Sequence, residues 1–200
     1  MKNNVLAIVL TLTLAFYCIP MMTSCSIAVD HTQYFYFNLI DETTYIRNDD
    51  SLNYLEQGTY MVTGVNGYLH HPTILIVPSE YMGKKVTAIG SDILDRQNVE
   101  TLIIPKSIKI IGANMCGYPA NCHSLKKIVC LGDEPFYLGS FSLNESQLKG
   151  GCKIYVPDDA IDKYKSFDVG VYSLSHYSNL ILPYSQLDES TRSYIEANVK

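Results

Sequence analysis

"TLIIPKSIKIIGANM", residues Thr101 to Met115, decides the fold, because a similar pattern lies on either side of it. It is preceded by "ILIVPSEYMGKKVTAIGSDIL" (Ile74 to Leu94) and followed by "LKKIVCLGDEPFYLGSF" (Leu125 to Phe141). Each unit begins with a short apolar strand, turns at proline or glycine, and returns through a second apolar pair that ends in glycine. The Ile/Leu-Gly pairs are 22 and 27 residues apart: Ile89-Gly90, Ile111-Gly112 and Leu138-Gly139.

This spacing is the length range of leucine-rich repeats. A coil so short cannot enclose its own aliphatic residues, so it must stack on the next coil, with parallel strands about 4.8 Å apart. We expect Gly90, Gly112 and Gly139 to take positive φ or to permit close backbone approach at the corners. The pattern therefore predicts a β-rich leucine-rich-repeat solenoid of about three coils, whose first strands are Leu75-Ile76-Val77, Leu102-Ile103-Ile104 and Ile128-Val129-Cys130.

The units resemble the BspA-like branch of leucine-rich repeats, which read as a strand, IP, a short turn, V-x-x-IG, and then C-x-S-L. "NCHSLKKI" (Asn121 to Ile128) matches the last piece, and "CKIYVPDDAIDKYKSF" (Cys152 to Phe167) looks like the closing segment of such arrays. The likeness covers about Tyr60 to Pro183. The family commonly has a tryptophan after the closing helix, whereas this chain has "VYSLSHYSNLILP" there, so we expect a repacked terminal cap.

The N-terminus is typical of an export signal. Met1 to Cys25 carries Lys2, then an apolar block from Val5 to Ile19, which is shorter than the ~20 residues of a spanning helix. "MTSCS" resembles the lipobox of bacterial lipoproteins, which implies that Cys25 is acylated and begins the mature chain. An uncleaved anchor is the alternative. We predict a chain that is exported and lipid-anchored to the cell envelope, with the outer surface and the periplasm both open.

The chain is divided by these signals into a lipoprotein signal peptide (1–24), an N-terminal strand or cap region (25–59), the repeat domain (60–185) and a polar tail or marginal helix (186–200). Asn66-Gly67 is a strong hairpin signal. It predicts that Tyr60–Val65 pairs with Tyr68–Val77 as a β-hairpin cap.

A short amphipathic helix is predicted after Pro157. Asp158 is its expected N-cap, and Ile161, Tyr164 and Phe167 share one face. This helix would close the array at its C-terminal end.

Six cysteines are present, of which Cys18 lies in the leader and Cys25 is the acylation candidate. For the other four we favour buried free thiols, although three disulfide pairings stay open in an oxidising compartment. The resemblance implies that Cys116 and Cys122 are packing residues. A zinc site from Cys116, Cys122, His123 and Cys130 has no C-x2-C pair, so no metal is predicted. The four cysteines outside the leader are Cys116, Cys122, Cys130 and Cys152.

The composition describes a chain that buries a core: 47% hydrophobic and 18% charged residues. Fifteen basic side chains are scattered among twenty acidic ones, so a nucleic acid partner is not expected. No G-x-S-x-G elbow and no phosphate-binding glycine loop occurs. His70-His71 would point to opposite faces of a strand, Asp49-Asp50 fits a solvated loop, and Asp158-Asp159 fits a helix start. We predict no catalytic residue, no cofactor and no enzyme.

The BspA-like resemblance implies adhesion to host proteins or other cells. The leading hypothesis is a lipoprotein that binds a macromolecule. If it binds through the strand face, the outward positions that alternate with Ile76, Ile103 and Val129 would be the contacts, and no binding residue is assigned. An accessory subunit of an envelope complex is the alternative, because few coils give little binding area. A glycan-binding module is a third hypothesis, based on the 16 tyrosines, whose rings can stack on sugars.

Overall fold

The computed structural model describes residues 28–42, 44, 55–67, 72–116, 124–139, 151–169 and 173–199. Cys25, Cys122, His123, His70-His71 and Asp49-Asp50 lie outside these residues. The described part is rich in strands and has few helices.

The strands of the described residues are β1 (Phe35–Leu39), β2 (Tyr60–Val65), β3 (Ile74–Ile76), β4 (Glu80–Tyr81), β5 (Lys84–Ile89), β6 (Thr101–Ile104), β7 (Ile110–Ile111), β8 (Lys127–Cys130), β9 (Tyr137–Leu138), β10 (Lys153–Val156) and β11 (Ile181–Pro183). The helices are α1 (Ile161–Ser166) and α2 (Glu189–Asn198), and the 3₁₀ segments are His31–Tyr34, Asp158–Ala160, Leu174–Leu180 and Tyr184–Gln186.

Two sheets contain these strands. The first has the order β1-β2-β5-β7-β9, with β4 beside β5, and the second has the order β11-β10-β8-β6-β3. From β5 to β10 the chain passes from one sheet to the other at every strand. The pairs are parallel except β1 with β2 and β4 with β5.

The three repeat strands lie side by side in the second sheet, as predicted. Ile76 is in register with Ile103, and Ile103 with Val129. The neighbouring row, which faces the main core between the sheets, is Leu75, Leu102, Ile128 and Ile154. Each of these side chains is therefore covered by the neighbouring parallel strands.

The repeated glycines lie at equivalent corners of the first sheet. The N–H groups of Gly90, Gly112 and Gly139 each donate to a carbonyl oxygen of the neighbouring strand of the first sheet at 2.7 Å. Gly90 does not take a positive φ; a Cβ there would lie 3.0 Å from the Val62 carbonyl oxygen, so close approach is the reason for glycine. The left-handed residues come two positions later, at Asp92 (φ 58) and Asn114 (φ 50). Aspartate and asparagine tolerate that conformation better than most side chains do.

The predicted hairpin between Tyr60–Val65 and Tyr68–Val77 is wrong. β2 pairs with β1 and β5 in the first sheet, whereas β3 pairs with β6 in the second. Asn66-Gly67 follows the end of β2 instead of closing a two-stranded turn. The reason is that Val62 and Leu75 each find a matching row in a different sheet, and this burial outweighs the local turn preference.

The closing segment is helical, but its cap differs from the prediction. Asp158 begins a 3₁₀ turn, and its carboxylate accepts the backbone N–H of Ser185 instead of capping its own helix. Tyr164 of α1 is buried, and its hydroxyl donates toward the carbonyl oxygens of Gly132 and Glu134 at 2.9 and 3.1 Å. This helix therefore packs on the core through its tyrosine.

Cys130 and Cys152 are buried free thiols, as predicted. Cys116 is buried and disulfide-bonded, so the free-thiol interpretation is wrong for this residue. In the described part of the chain, no helix has the length and apolar character needed to cross a membrane.

Candidate functional site

A cleft of about 630 Å³ opens at the carboxyl ends of β3, β6 and β8. We call it the N-terminal cleft, because the first described residues form one of its walls. Its walls are mostly apolar, and Asp30, Glu80 and Lys106 supply charges. Its volume is in the range of ligand-binding clefts. The lining residues are Ala28–Thr32, Ile76–Glu80, Pro105, Lys106, Leu131, Asn198 and Val199.

His31 holds the cleft wall in place. Its side chain is buried, and Nδ1 accepts the backbone N–H of Ile76 at 3.3 Å. A backbone N–H can only donate, so Nδ1 is unprotonated and the neutral ring carries its proton on Nε2. Nε2 then donates to the Tyr194 hydroxyl of α2, 3.1 Å away. Burial lowers the pKa of His31 to about 4, so the ring stays neutral near pH 7.

The residues before His31 are fixed by local and distant contacts. Asp30 accepts hydrogen bonds from the hydroxyl and the backbone N–H of Thr32, and these lower the pKa of its carboxyl group. The Val29 N–H donates to Oδ1 of Asn198 at 2.7 Å. Both ends of the described chain thus meet at this cleft.

Helix α2 covers the outer face of the second sheet. Ile195 and Leu187 pack against Ile76, Ile103 and Val129, which are all buried. The alternating positions Leu75, Leu102 and Ile128 face the main core. The positions that alternate with Ile76, Ile103 and Val129, which would be the contacts if the strand face bound a partner, are therefore buried. Both faces of these strands are covered by other parts of the fold.

The β4–β5 hairpin projects beside the cleft. Tyr81 and Lys84 are register partners, so Met82 and Gly83 form a two-residue turn, with φ of 48° and 74°. The Met82 side chain is 76% exposed. Glu80, at the start of the same hairpin, lines the N-terminal cleft.

An aromatic cluster supports this hairpin. The Phe37 and Tyr81 rings are stacked with centroids 4.0 Å apart, and Tyr60 meets Tyr81 edge to face at 5.1 Å. The three rings are half-buried. They pack against one another, so the stacked faces of Phe37 and Tyr81 offer no platform for a sugar ring. The cluster acts as a rigid base for the hairpin.

A second concavity of about 510 Å³ shares Leu131 with the cleft and includes Asp158, Tyr184 and Arg192. Asp158 accepts from Ser185, and Nη2 of Arg192 pairs with Glu189 at 2.8 Å, whereas the buried Nε of Arg192 has no hydrogen-bond partner among the described residues.

The thiols are unsuited to chemistry. Burial raises the pKa of Cys152 to about 12 and that of Cys130 still further, so both stay protonated near pH 7. Within the described ranges, no group of three or more histidines, cysteines and carboxylates is placed to hold a metal ion.

The sequence reasoning missed His31 and the cleft. The D-x-T pattern of Asp30 and Thr32 is a recognisable local cap, but a lone histidine gives no signal that it will be buried against residues 45 and 163 positions away. Cys25, the lipidation candidate, lies outside the described residues and stays a prediction.

No protein-family model and no curated protein matches this chain. Among solved structures, it is similar to the crystal structure of a leucine-rich repeat protein from T. pallidum (TpLRR). The likeness has a TM-score of 0.35 and 13% sequence identity, and it covers 86% of this chain and 97% of that chain. At these values the likeness is too distant to assign a family.

Proposed function

We propose that this chain is an exported lipoprotein, acylated at Cys25, whose body is a BspA-like leucine-rich-repeat solenoid that binds a partner protein in an adhesion-like role. The observation that carries the solenoid is the alternation of strands between two sheets, with Ile76, Ile103 and Val129 in one register. Short coils stacked in this way form a rigid scaffold for binding.

Protein binding is supported by the N-terminal cleft. Its apolar walls suit an aliphatic segment of a partner, and Asp30, Glu80 and Lys106 give it polar groups that can orient such a segment. The described residues offer no comparable constellation for catalysis.

Export is supported by two features. "MTSCS" has the form of a lipobox around Cys25. Cys116 is disulfide-bonded, and structural disulfides are rare in the cytosol but persist in oxidising compartments.

Metabolic labelling tests the anchor. Cells fed an alkyne-tagged fatty acid are expected to label the wild-type chain and the Cys18→Ala variant, whose change lies in the leader. The Cys25→Ala variant should carry no label and should leave the membrane fraction. Equal labelling of Cys25→Ala and wild type would contradict lipidation at this residue.

The cleft is tested by site-specific crosslinking in cells. A photoreactive amino acid at Lys106, which is exposed on the cleft rim, should crosslink a defined protein. The same group at Val169, exposed but outside the cleft lining, is the matched control. Identical products from both positions, or none from Lys106, would count against the cleft as the binding site.

An accessory subunit of an envelope complex is the second candidate, and the position of the cleft favours it. Cys25 precedes Ala28 by three residues, which span at most about 11 Å when extended. Ala28 itself lines the cleft. An acylated Cys25 would thus keep the cleft close to the bilayer, where membrane proteins are its nearest partners.

Protease shaving of whole cells separates the two roles. A domain displayed for adhesion is released by external protease and should retain a matrix or host-cell protein at micromolar concentration. A domain protected until the envelope is opened, and retaining none of these proteins, supports the accessory role.

A further inference from the structure

We propose that the β4–β5 hairpin tip, Met82 with Lys84 and Lys85, docks into the headgroup region of the bilayer and orients the anchored domain. This inference rests on the proposed lipid anchor. It adds a second membrane contact, made by the folded domain itself.

The position of the hairpin tip relative to the proposed anchor supports the docking. Ala28 and Glu80 line the same cleft, and Met82 is two residues beyond Glu80. The chain enters the described domain at Ala28, only three residues after Cys25. The anchor and the hairpin tip therefore lie on the same side of the domain, and a bilayer reached by the acyl chains is within reach of the tip.

The apolar side chain at the tip also suits a lipid surface. Met82 is an unbranched apolar side chain with 76% of its surface exposed, the highest value among the exposed large hydrophobic residues of the described chain. It occupies a left-handed position of a two-residue turn, where asparagine or glycine suits the fold better. Insertion among lipid headgroups would remove this exposed apolar side chain from water.

The charge of the hairpin tip favours an anionic surface. Lys84 and Lys85 are exposed, and neither forms an ion pair with any residue that the structure describes. Glu80 stands opposite Lys85 across the hairpin and offsets one of them. The tip keeps a net positive charge in a chain whose formal net charge is -5. Such a local cation suits the anionic headgroups of a membrane surface.

The hairpin is held in place by contacts with neighbouring aromatic rings. Tyr81 is stacked on Phe37, and the Tyr60 hydroxyl lies 3.8 Å from the Met82 sulfur. The hairpin therefore presents its tip in one orientation, so docking would fix how the cleft faces the membrane.

The test uses the absence of tryptophan from this chain. Met82→Trp gives a single fluorescent probe at the tip, and Val169→Trp gives a matched probe at another exposed apolar residue. Each full-length variant is produced in a host that acylates lipoproteins and is reconstituted in vesicles containing anionic phospholipid. The Met82→Trp emission should move to shorter wavelength and be quenched by brominated lipid, whereas the Val169→Trp emission should do neither.

Charge reversal is the second measurement. Lys84→Glu and Lys85→Glu, each in the Met82→Trp background, should each lower the ratio of docked to undocked tip about 30-fold, because each reversal changes the charge by two. The effect should fade in vesicles of zwitterionic lipid. Equal quenching in both lipids would overturn the assigned role of the lysines.

The outcomes separate this inference from the anchor. Mass spectrometry of the N-terminal peptide reports acylation of Cys25 directly. An acylated chain whose Met82→Trp emission matches that of Val169→Trp overturns the docking and leaves the anchor standing. An unmodified Cys25 overturns the anchor, and an unshifted Met82→Trp emission with added vesicles then overturns the docking as well.

Discussion

At the scale of single residues, Gly90 shows how one atom limits the approach of neighbouring strands. A Cβ at this position would meet the Val62 carbonyl oxygen at 3.0 Å, and the Gly90 N–H donates to the same oxygen at 2.7 Å. Gly90→Ala should therefore destabilise the domain by about 1 to 3 kcal/mol, because backbone must shift to admit the methyl group.

Gly64→Ala is the control for this change, since its Cβ would lie 3.5 Å from the Tyr36 ring, an ordinary contact. Denaturant unfolding measures both. Equal losses of stability for the two variants would show that close approach is not the reason for glycine at position 90.

His31 predicts a pH dependence of stability. Its pKa is about 4 in the folded chain and 6.5 in the unfolded chain, because the folded environment is buried. Between these values the unfolded state binds a proton that the folded state does not, so stability falls as the pH falls. The free energy of unfolding should drop by about 2 kcal/mol from pH 7.5 to pH 5.

Thermal unfolding at a series of pH values checks this expectation. His31→Asn keeps an acceptor for the Ile76 N–H but does not titrate, so it should remove most of the dependence in this range. His176→Asn, a change at an exposed histidine, should retain it. A wild-type profile that is flat from pH 7.5 to pH 5 would contradict the assignment.

At the scale of elements, α2 converts an outward strand face into core. Asp188 caps the helix by accepting the Thr191 N–H at 3.0 Å, and it also accepts a hydrogen bond from Lys127 of β8. Burial raises the pKa of Asp188, but these hydrogen bonds outweigh burial and lower it overall. A helix that is marginal by itself is thus held by its packing and its cap.

Ile195→Asp should detach this helix. The residue is buried against the row of Ile76, Ile103 and Val129, and a carboxylate there has no described partner. We expect a loss of about 3 kcal/mol and new binding of a hydrophobic dye to the uncovered face. Ala197→Asp adds the same charge at an exposed position of α2 and should cause neither effect. Dye fluorescence and denaturant midpoints measure both results.

At the scale of the whole molecule, each strand of the second sheet depends on its neighbours. Leu102 lies between Leu75 and Ile128 and is fully buried, so its side chain is covered by both neighbouring strands. Leu102→Ala should cost about 3 kcal/mol. Hydrogen exchange should accelerate in β3, β6 and β8 together, because interfaces between repeats carry much of the stability.

Ile181→Ala in β11 is the comparison. This residue is equally buried but lies in the terminal strand, whose partner is β10. Faster exchange should stay within β10 and β11. Acceleration confined to β6 in Leu102→Ala would contradict coupling through the stack.

The sequence by itself determined the parallel strands of the second sheet and the corners of the first. Leu75, Leu102 and Ile128 recur in the same local setting, and a coil of this length has only its neighbours to cover them. The glycines at 90, 112 and 139 recur for a similar reason, since each N–H must reach the carbonyl of the coil before it.

Only the tertiary structure decided which segments cover the remaining faces and edges of the two sheets. β2 leaves its expected hairpin partner for β1 and β5, α2 covers Ile76 and its row, and His31 joins Ile76 to Tyr194. The two hydrogen bonds of His31 join residues that are 45 and 163 positions apart in the chain. The local periodicity of the sequence indicates which side chains are buried. The segment that covers each of them is set by the relative free energies of all the alternative packings of the chain.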